Sequence, residues 1–292
     1  MVLHVAKDDI WSVCSGVVDR VVGLEQVSRF SLEKIVQHEF VGDTRDGGLA
    51  VALANFHGHS VPLFDQGPDG PLVARPFAPH FDAHNADNSQ KAATTVRPTD
   101  SVSNQTDKIN GTCQCGGVKF RITRPNSLSS RFSSPFPDLL APYHLTSSQN
   151  PHDEKWWLRA SGSKYLAGTC ACRSCRLGAG SPIQCWAFVP KANVLQANNE
   201  PISYDMGSLK QIESSKDCFR EFCGVCGATV FWHCKERPEL IDVSVGLLQA
   251  WEGSRAESLL EWWTGRVSFR EDALDKELIE ALEQGLLESG LK

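Results

Sequence analysis

The 292-residue chain has no apolar run of about 18 residues, the length that a membrane-spanning helix requires. Its first residues, MVLHVAKDDIW, include neither a basic start nor an apolar block, so we expect no secretory signal. Basic charge is scarce: the net charge is −6, and even residues 113–270 hold only 18 Lys and Arg against 14 Asp and Glu. We therefore expect no membrane partner, no nucleic-acid partner, and a reducing compartment, the cytoplasm or alternatively the nucleus.

Cysteine, in contrast, is abundant, with 11 residues. Disulfides are rare in reducing compartments, and an odd number of cysteines in C-x-C and C-x-x-C spacings indicates metal ligands. Seven form three groups along the chain: Cys113 and Cys115; Cys170, Cys172 and Cys175; Cys223 and Cys226. The other four are interpreted as small buried hydrophobic residues: Cys14, Cys185, Cys218 and Cys234.

The first and third groups have the pattern of zinc knuckles, because glycine follows the last cysteine of each and allows a tight turn. Similar strand-like segments, GGVKF and GATVF, come next. Two facing knuckles would supply four thiolates at about 2.3 Å and leave no open coordination position, which is typical of a structural zinc site. Buried cysteines without metal are the alternative.

The second group offers three thiolates and no obvious fourth ligand. Three protein ligands and one exchangeable position are typical of catalytic zinc, where a bound thiol is deprotonated at neutral pH. Two alternatives stay open. Cys185 or His233 could complete the shell and make a second structural site, or the three thiols could be a redox cluster. We expect two zinc ions, one structural and one open.

The fold is predicted to be mainly β, because apolar and polar residues alternate at 118–123, 183–189, 228–233 and 241–247. The segment 10–21 fits a helix or a strand, and 31–40 a short helix. Near the carboxyl end Leu274, Leu278, Leu282 and Leu286 recur every four residues, which predicts an acidic amphipathic helix that packs on the β domain. The predicted organisation is a poorly ordered N-terminal segment of unknown role (1–64), a disordered Pro-rich and polar linker (65–110), a zinc-binding domain (111–270) and the helix (271–292).

Six of the nine histidines precede residue 90, and solvated loop residues are favoured over another metal site for them. They are His4, His38, His57, His59, His80 and His84.

The ordered cysteine pattern resembles one family. C-x-C-G-x-V-x-F from Cys113, C-x-C-x-x-C-R from Cys170 and F-C-x-x-C-G from Phe222 look like the domain shared by the glutathione-dependent formaldehyde-activating enzymes and centromere protein V. The segments LAGTC, REFC and IDVSVG are similar to its fungal members. The resemblance covers about residues 109–270, and departs from compact members in the long Pro-rich and Ser-rich loop 125–165. We expect this loop, with Trp156 and Trp157, to shape the substrate pocket.

The resemblance implies zinc-binding β-hairpins in small sheets, with a structural zinc at Cys113, Cys115, Cys223 and Cys226. It implies an activity-linked zinc at Cys170, Cys172 and Cys175, which are the candidate catalytic residues. The implied function is that of a zinc-dependent carbon–sulfur lyase acting on the adduct of glutathione, or another small thiol, with an aldehyde, like an S-hydroxymethylglutathione synthase. A non-catalytic zinc module that binds a thiol ligand, a protein or chromatin is the alternative. The neighbouring Arg173 and Arg176 could hold a substrate carboxylate or balance thiolate charge.

Overall fold

The computed structural model describes the backbone of residues 4–5 and 11–12, and residues 35, 37–67, 70–73, 107–143 and 148–290. Helices within these ranges are all too short or too polar to span a bilayer.

Two α-helices and fifteen strands lie in the described ranges. The helices are α1 (Arg173–Ala179) and α2 (Lys276–Glu288). The strands are β1 (His4–Val5), β2 (Trp11–Ser12), β3 (Asn55–Phe56), β4 (His59–Ser60), β5 (Lys108–Thr112), β6 (Lys119–Thr123), β7 (Leu158–Arg159), β8 (Lys164–Cys170), β9 (Gln184–Pro190), β10 (Val194–Gln196), β11 (Leu209–Ser215), β12 (Cys218–Cys223), β13 (Thr229–Cys234), β14 (Leu240–Ser244) and β15 (Leu260–Trp262). Short 3-10 turns occupy Val41–Thr44, Gly48–Val51, Ala160–Gly162, Lys191–Asn193, Val245–Leu247 and Arg270–Asp272.

Two antiparallel sheets enclose the main core. The larger has the order β11-β12-β13-β14-β9-β8-β15, with β7 also paired to β8 and only β15 parallel to its neighbour. The smaller has the order β10-β6-β5. Apolar side chains of both sheets form one buried cluster, in which the rings of Phe120 and Phe231 meet edge to face at 5.0 Å. The predicted mainly β fold is confirmed, because strands occur at all four predicted positions.

Alternation along the strands gives the larger sheet a second buried face. On β9, Ala187 and Val189 join the main core, whereas Trp186 and Phe188 join clusters on the opposite face. Successive side chains of a regular strand point to opposite faces. Strand β14 is therefore buried along its entire length, and its polar face does not point to solvent. The irregular register between β12 and β13 at Glu221–Phe222 is an exception to this alternation, and there the adjacent Val230 and Phe231 both lie in the main core.

The long loop before β7 covers this second face. Its residues 125–157 contain no strand or α-helix in the part described, yet they pack against Leu166 and Leu240 of the sheet. Trp157 Nε1 donates a hydrogen bond to the Ser129 carbonyl (2.8 Å), and Trp156 Nε1 donates one to that of Pro135 (2.9 Å). These hydrogen bonds join two parts of the loop to each other, and the two tryptophan rings pack the loop against the sheet.

Residues 37–67 pack on the β domain. The buried Asp46 carboxylate accepts hydrogen bonds from the backbone N–H of Arg255 (2.7 Å) and from Ser254 Oγ (3.0 Å). Ala52 and Phe56 belong to the main core. The domain boundaries at 64, 110 and 270 stay predictions; most of the predicted linker lies outside the described residues, although its last residues begin β5.

The helix predicted at 31–40 is wrong for its described residues, which are not helical. His38 is extended and forms an isolated β-bridge with Leu63. Its backbone N–H donates a hydrogen bond to the Pro62 carbonyl (2.9 Å). Most of 10–21 lies outside the described residues, apart from β2.

The carboxyl-terminal helix exists but begins later than residue 271. Asp275 accepts from the N–H of Leu278 (3.0 Å) and caps α2, so Leu274 precedes the helix. Its apolar face is buried in the main core, as predicted.

Gly285 lies where α2 packs closely against the backbone of Ala52. A β-carbon at this position would collide with the Ala52 carbonyl oxygen. We expect Gly285→Ala to lower the free energy of unfolding by about 1–3 kcal/mol through overpacking, although alanine favours helix by about 1 kcal/mol over glycine. Urea unfolding followed by circular dichroism measures this. The matched control is the exposed Gln284→Ala, which should change stability by less than about 0.5 kcal/mol. A Gly285→Ala protein as stable as wild type would contradict the close contact.

Candidate metal centre

The first and third cysteine groups meet where the two sheets adjoin. Cys113 and Cys115 lie in the β5–β6 turn, whereas Cys223 ends β12 and Cys226 lies in the β12–β13 turn. All four sulfurs lie within 4.8 Å of one another, with Sγ–Sγ distances of 3.6 Å for Cys113–Cys115 and 3.5 Å for Cys115–Cys223. Tetrahedral zinc with bonds of about 2.3 Å separates its sulfurs by about 3.8 Å. The donor set and its spacing therefore fit zinc.

The two turns have the same backbone design. The N–H of Cys113 donates to the Val118 carbonyl (3.1 Å), and that of Cys223 to the Ala228 carbonyl (2.9 Å). Gly116 and Gly227 both have left-handed φ angles, 72° and 75°, which glycine adopts without strain.

Hydrogen-bond donors also point at the sulfurs of this first cluster. The backbone N–H of Val118 lies 3.3 Å from Cys113 Sγ, and that of Cys226 lies 3.5 Å from Cys223 Sγ. Such N–H groups stabilise thiolates and orient them as ligands.

The second group lies where β8 meets α1. Cys170 ends β8, Cys172 is the N-cap of α1, and Cys175 is in the first turn of the helix. The three sulfurs lie within 4.8 Å of one another. The N–H of Cys175 donates to Cys172 Sγ (3.3 Å), so the helix start itself sets the position of two ligands.

Cys175 also receives two side-chain donors. Its Sγ lies 3.3 Å from Trp186 Nε1 and 3.6 Å from an Arg220 guanidinium nitrogen. Hydrogen bonds with the Cys170 and Cys172 sulfurs, together with the Arg220 charge and the Trp186 N–H, hold the pKa of the Cys175 thiol well below its ordinary value. A buried thiolate is therefore stabilised here even before a metal ion is considered.

Within the described ranges, no fourth Cys, His, Asp or Glu joins the three sulfurs. Cys185 is on the opposite face of β9 from Trp186 and packs against the main core, where burial raises the pKa of its thiol to about 12. His233 points away as well: its Nε2 lies 2.8 Å from the buried Glu221 carboxylate, and its ring stacks on Tyr204 at 4.3 Å. The structure places neither sequence candidate beside the cluster.

The three sulfurs line a cavity of about 470 Å³ on the second face of the larger sheet. Its apolar walls come from the sheet, from the covering loop and from the segment after β15. They include Phe136, Leu139, Tyr143, Trp186, Phe188, Trp232 and Phe269. This lining agrees with the expectation that the loop shapes the pocket. Trp156 and Trp157, however, are not among the lining residues, because they pack between the loop and the sheet.

Arginine side chains give the cavity its polar character. Arg220 is 3% exposed and donates to Ser174 Oγ (3.1 Å), while Arg237 pairs with Asp242 (2.9 Å). Of the two arginines singled out in the sequence, Arg173 lines the cavity and Arg176 is buried outside it.

Sequence reasoning missed Arg220, Trp186 and Trp232. Strand alternation separates them from the core residues, but no motif indicated which face of the strands held the cavity.

The early histidines do not form a metal cluster in the described residues. His38 Nε2 is 3.0 Å from the Leu53 carbonyl oxygen, and His57 pairs with Glu277 (3.1 Å). His4, His80 and His84 lie outside the residues whose side chains are described.

Residues 157–266 match the family model described as glutathione-dependent formaldehyde-activating enzyme. This segment belongs to that domain family. It contains the second and third cysteine groups, and the first group precedes it. The fungal character of the resemblance stays a prediction.

A crystal structure of a Rhodobacter sphaeroides protein is similar to the chain at 17% identity, over 53% of this chain and 99% of that one. Its TM-score of 0.29 is too low to bear on fold or function. No curated protein matches the chain.

The two clusters should differ in their contribution to stability. We expect Cys226→Ser to lower the free energy of unfolding by more than about 4 kcal/mol, because the four-sulfur cluster joins the two sheets and structural zinc supplies folding energy. Cys172→Ser should cost less than half as much, since its cluster lies at one strand end. Urea unfolding and zinc content by atomic absorption measure both. Cys185→Ser, outside both clusters, should keep its zinc. Equal losses in the two cluster variants would contradict the distinction.

Proposed function

We propose that the chain is a zinc-dependent carbon–sulfur lyase that makes and breaks the adduct of a small thiol, such as glutathione, with an aldehyde. The observation that carries the proposal is the group of three cysteine sulfurs at a cavity wall, with no fourth protein ligand among the described residues. The family match supports it, because that family is described as glutathione-dependent and formaldehyde-activating. In this proposal Cys170, Cys172 and Cys175 hold the open zinc, and the four-sulfur cluster holds the structural one.

The cavity suits a small ligand. Its volume of about 470 Å³ falls in the range of about 300–1,000 Å³ that is usual for small-molecule sites. Its aromatic walls lower the local polarity around the sulfurs, which strengthens electrostatic interactions there. A binding surface for a protein or chromatin would instead be broad and exposed.

Zinc at the three sulfurs would lower the pKa of a thiol that takes the fourth position, so that a thiolate exists at neutral pH. The protein holds this site through Trp186 and Arg220, whose N–H groups fix Cys175 and offset its charge. Arg173, on the cavity wall, is placed to bind a carboxylate of the thiol compound.

In the forward direction the thiol gives up its S–H proton to water, and its sulfur, as thiolate, bonds to the carbonyl carbon of the aldehyde. The carbonyl π electrons move to the oxygen, which takes a proton from water. The reverse reaction returns that proton and releases the thiol and the aldehyde. The chain's contribution is to bind both compounds in one cavity and so to hold their reacting atoms together. The clustered reduced cysteines support the cytoplasm as the proposed compartment.

The test is the exchange rate of the glutathione–formaldehyde adduct, followed by NMR exchange spectroscopy with the zinc-loaded protein. We expect wild type to accelerate exchange and Cys172→Ser to lower the exchange rate by about 100-fold or more. Mutation of residues that only hydrogen-bond to metal ligands already costs about 10- to 100-fold in activity, and loss of a ligand should cost at least as much. Cys185→Ser should retain the wild-type rate.

Unchanged exchange in a folded Cys172→Ser protein would eliminate the mechanism. Zinc-loaded wild type that binds glutathione but does not accelerate exchange would instead establish the binding module.

A further inference from the structure

Two cysteines outside both metal clusters face each other on the cavity wall. Cys218 begins β12 and Cys234 ends β13, and the two are direct partners in the antiparallel register. Both carry free thiols and both line the cavity. No motif indicates this pairing, because the two cysteines are separated along the chain by 15 residues that include a cysteine knuckle.

The type of register pair brings their side chains close together. The N–H of Lys235 donates to the Asp217 carbonyl (3.0 Å), so Asp217 and Lys235 form a hydrogen-bonded pair. The adjacent pair, Cys218 and Cys234, is therefore non-hydrogen-bonded, the class in which Cα atoms are about 4.5 Å apart and side chains are closest. Disulfides span Cα distances of about 4.4–6.8 Å, so this pair can be bridged.

The next pair on the same face connects the dithiol to the three-sulfur cluster. Arg220 is the partner of Trp232 in the register, both line the cavity, and Arg220 reaches Cys175 Sγ at 3.6 Å. The residues between, Phe219 and His233, stack on the opposite face at 5.3 Å. The sulfurs of Cys218 and Cys234 thus share one cavity with the cluster, with Arg220 between the two groups.

We propose that Cys218 and Cys234 form a second reactive site of this cavity, a dithiol that reduces small organic disulfides by thiol–disulfide exchange. One cysteine sulfur attacks the disulfide, which forms a mixed disulfide and releases one thiolate. The second cysteine attacks the first, which closes the Cys218–Cys234 bond and releases the other thiolate. Two electrons pass from the cysteines to the compound, and their two protons go to the released thiolates. The site goes beyond the proposed lyase and does not depend on it.

Exposure assigns the order of attack. Cys218 is half-buried, whereas Cys234 is 6% exposed and its burial raises the pKa of its thiol. Cys218 is therefore the attacking residue, and Cys234 resolves the mixed disulfide. Arg237 lies beside Cys234 and favours its thiolate during that second step.

The test treats the reduced, zinc-loaded full chain with two equivalents of 2-hydroxyethyl disulfide and maps its cysteines by mass spectrometry. Wild type should give a Cys218–Cys234 linked peptide and release two equivalents of 2-mercaptoethanol. Cys234→Ser should stop at a mixed disulfide on Cys218. Cys218→Ser should react at least 10-fold more slowly at Cys234.

Cys185→Ser, on the opposite face of the sheet, is the matched control and should behave as wild type. The proposal is refuted if Cys218 and Cys234 stay reduced in wild type while other cysteines react. This outcome is measured on the wild-type protein alone, so it does not depend on whether a variant folds. A Cys234→Ser protein that melts like wild type but forms no adduct on Cys218 also refutes it. Adduct exchange by the lyase is measured separately, so either activity can fail without the other.

Discussion

Strand alternation in the larger sheet is the constraint on which the site depends. Along β9, β12 and β13, one set of side chains fills the core between the sheets and the other set faces the cavity. A shift of one residue in register would exchange the two sets. Trp186 and Arg220 reach Cys175 because they point to the cavity face of their strands. Cys185 and His233 do not reach it because they point to the opposite face, where Cys185 packs on the core and His233 stacks on Tyr204.

The four-sulfur cluster brings the two sheets together. Its two turns belong to different sheets, yet their sulfurs come within bonding range of one ion. A metal ion there would fasten the β5–β6 hairpin to the β12–β13 hairpin, and so would hold the small sheet over the core face of the larger one. The three-sulfur cluster has no such role, because all its ligands come from one short stretch of chain.

Local spacing explains what the sequence predicted well. The cysteine groups and the strand predicted from residue 241 depend on residues near one another in the chain, so period and motif suffice, although that strand ends at Ser244 and residues 245–247 form a 3-10 turn. Which faces meet depends on long-range pairing, and this is why Arg220, Trp232 and the Cys218–Cys234 pair went unrecognised. The start of α2 was misplaced because the acidic residues 271–272 fit a helix start as well as Asp275 does, and only the hydrogen bond to Leu278 distinguishes them.

The covering loop is held in place by different interactions from those that hold the strands of the sheet. It contributes Pro135–Leu139 and Tyr143 to the cavity, yet no strand ladder holds its described part. Apolar packing and the buried Asp138 carboxylate, which accepts hydrogen bonds from Ser268 Oγ and the Phe269 N–H, attach it to the rest of the fold. Insertions or exchanges within it would alter which compounds fit while the sulfur chemistry stays intact. Substitutions confined to this loop could therefore change ligand preference during evolution while the sheet and its cysteines stay the same.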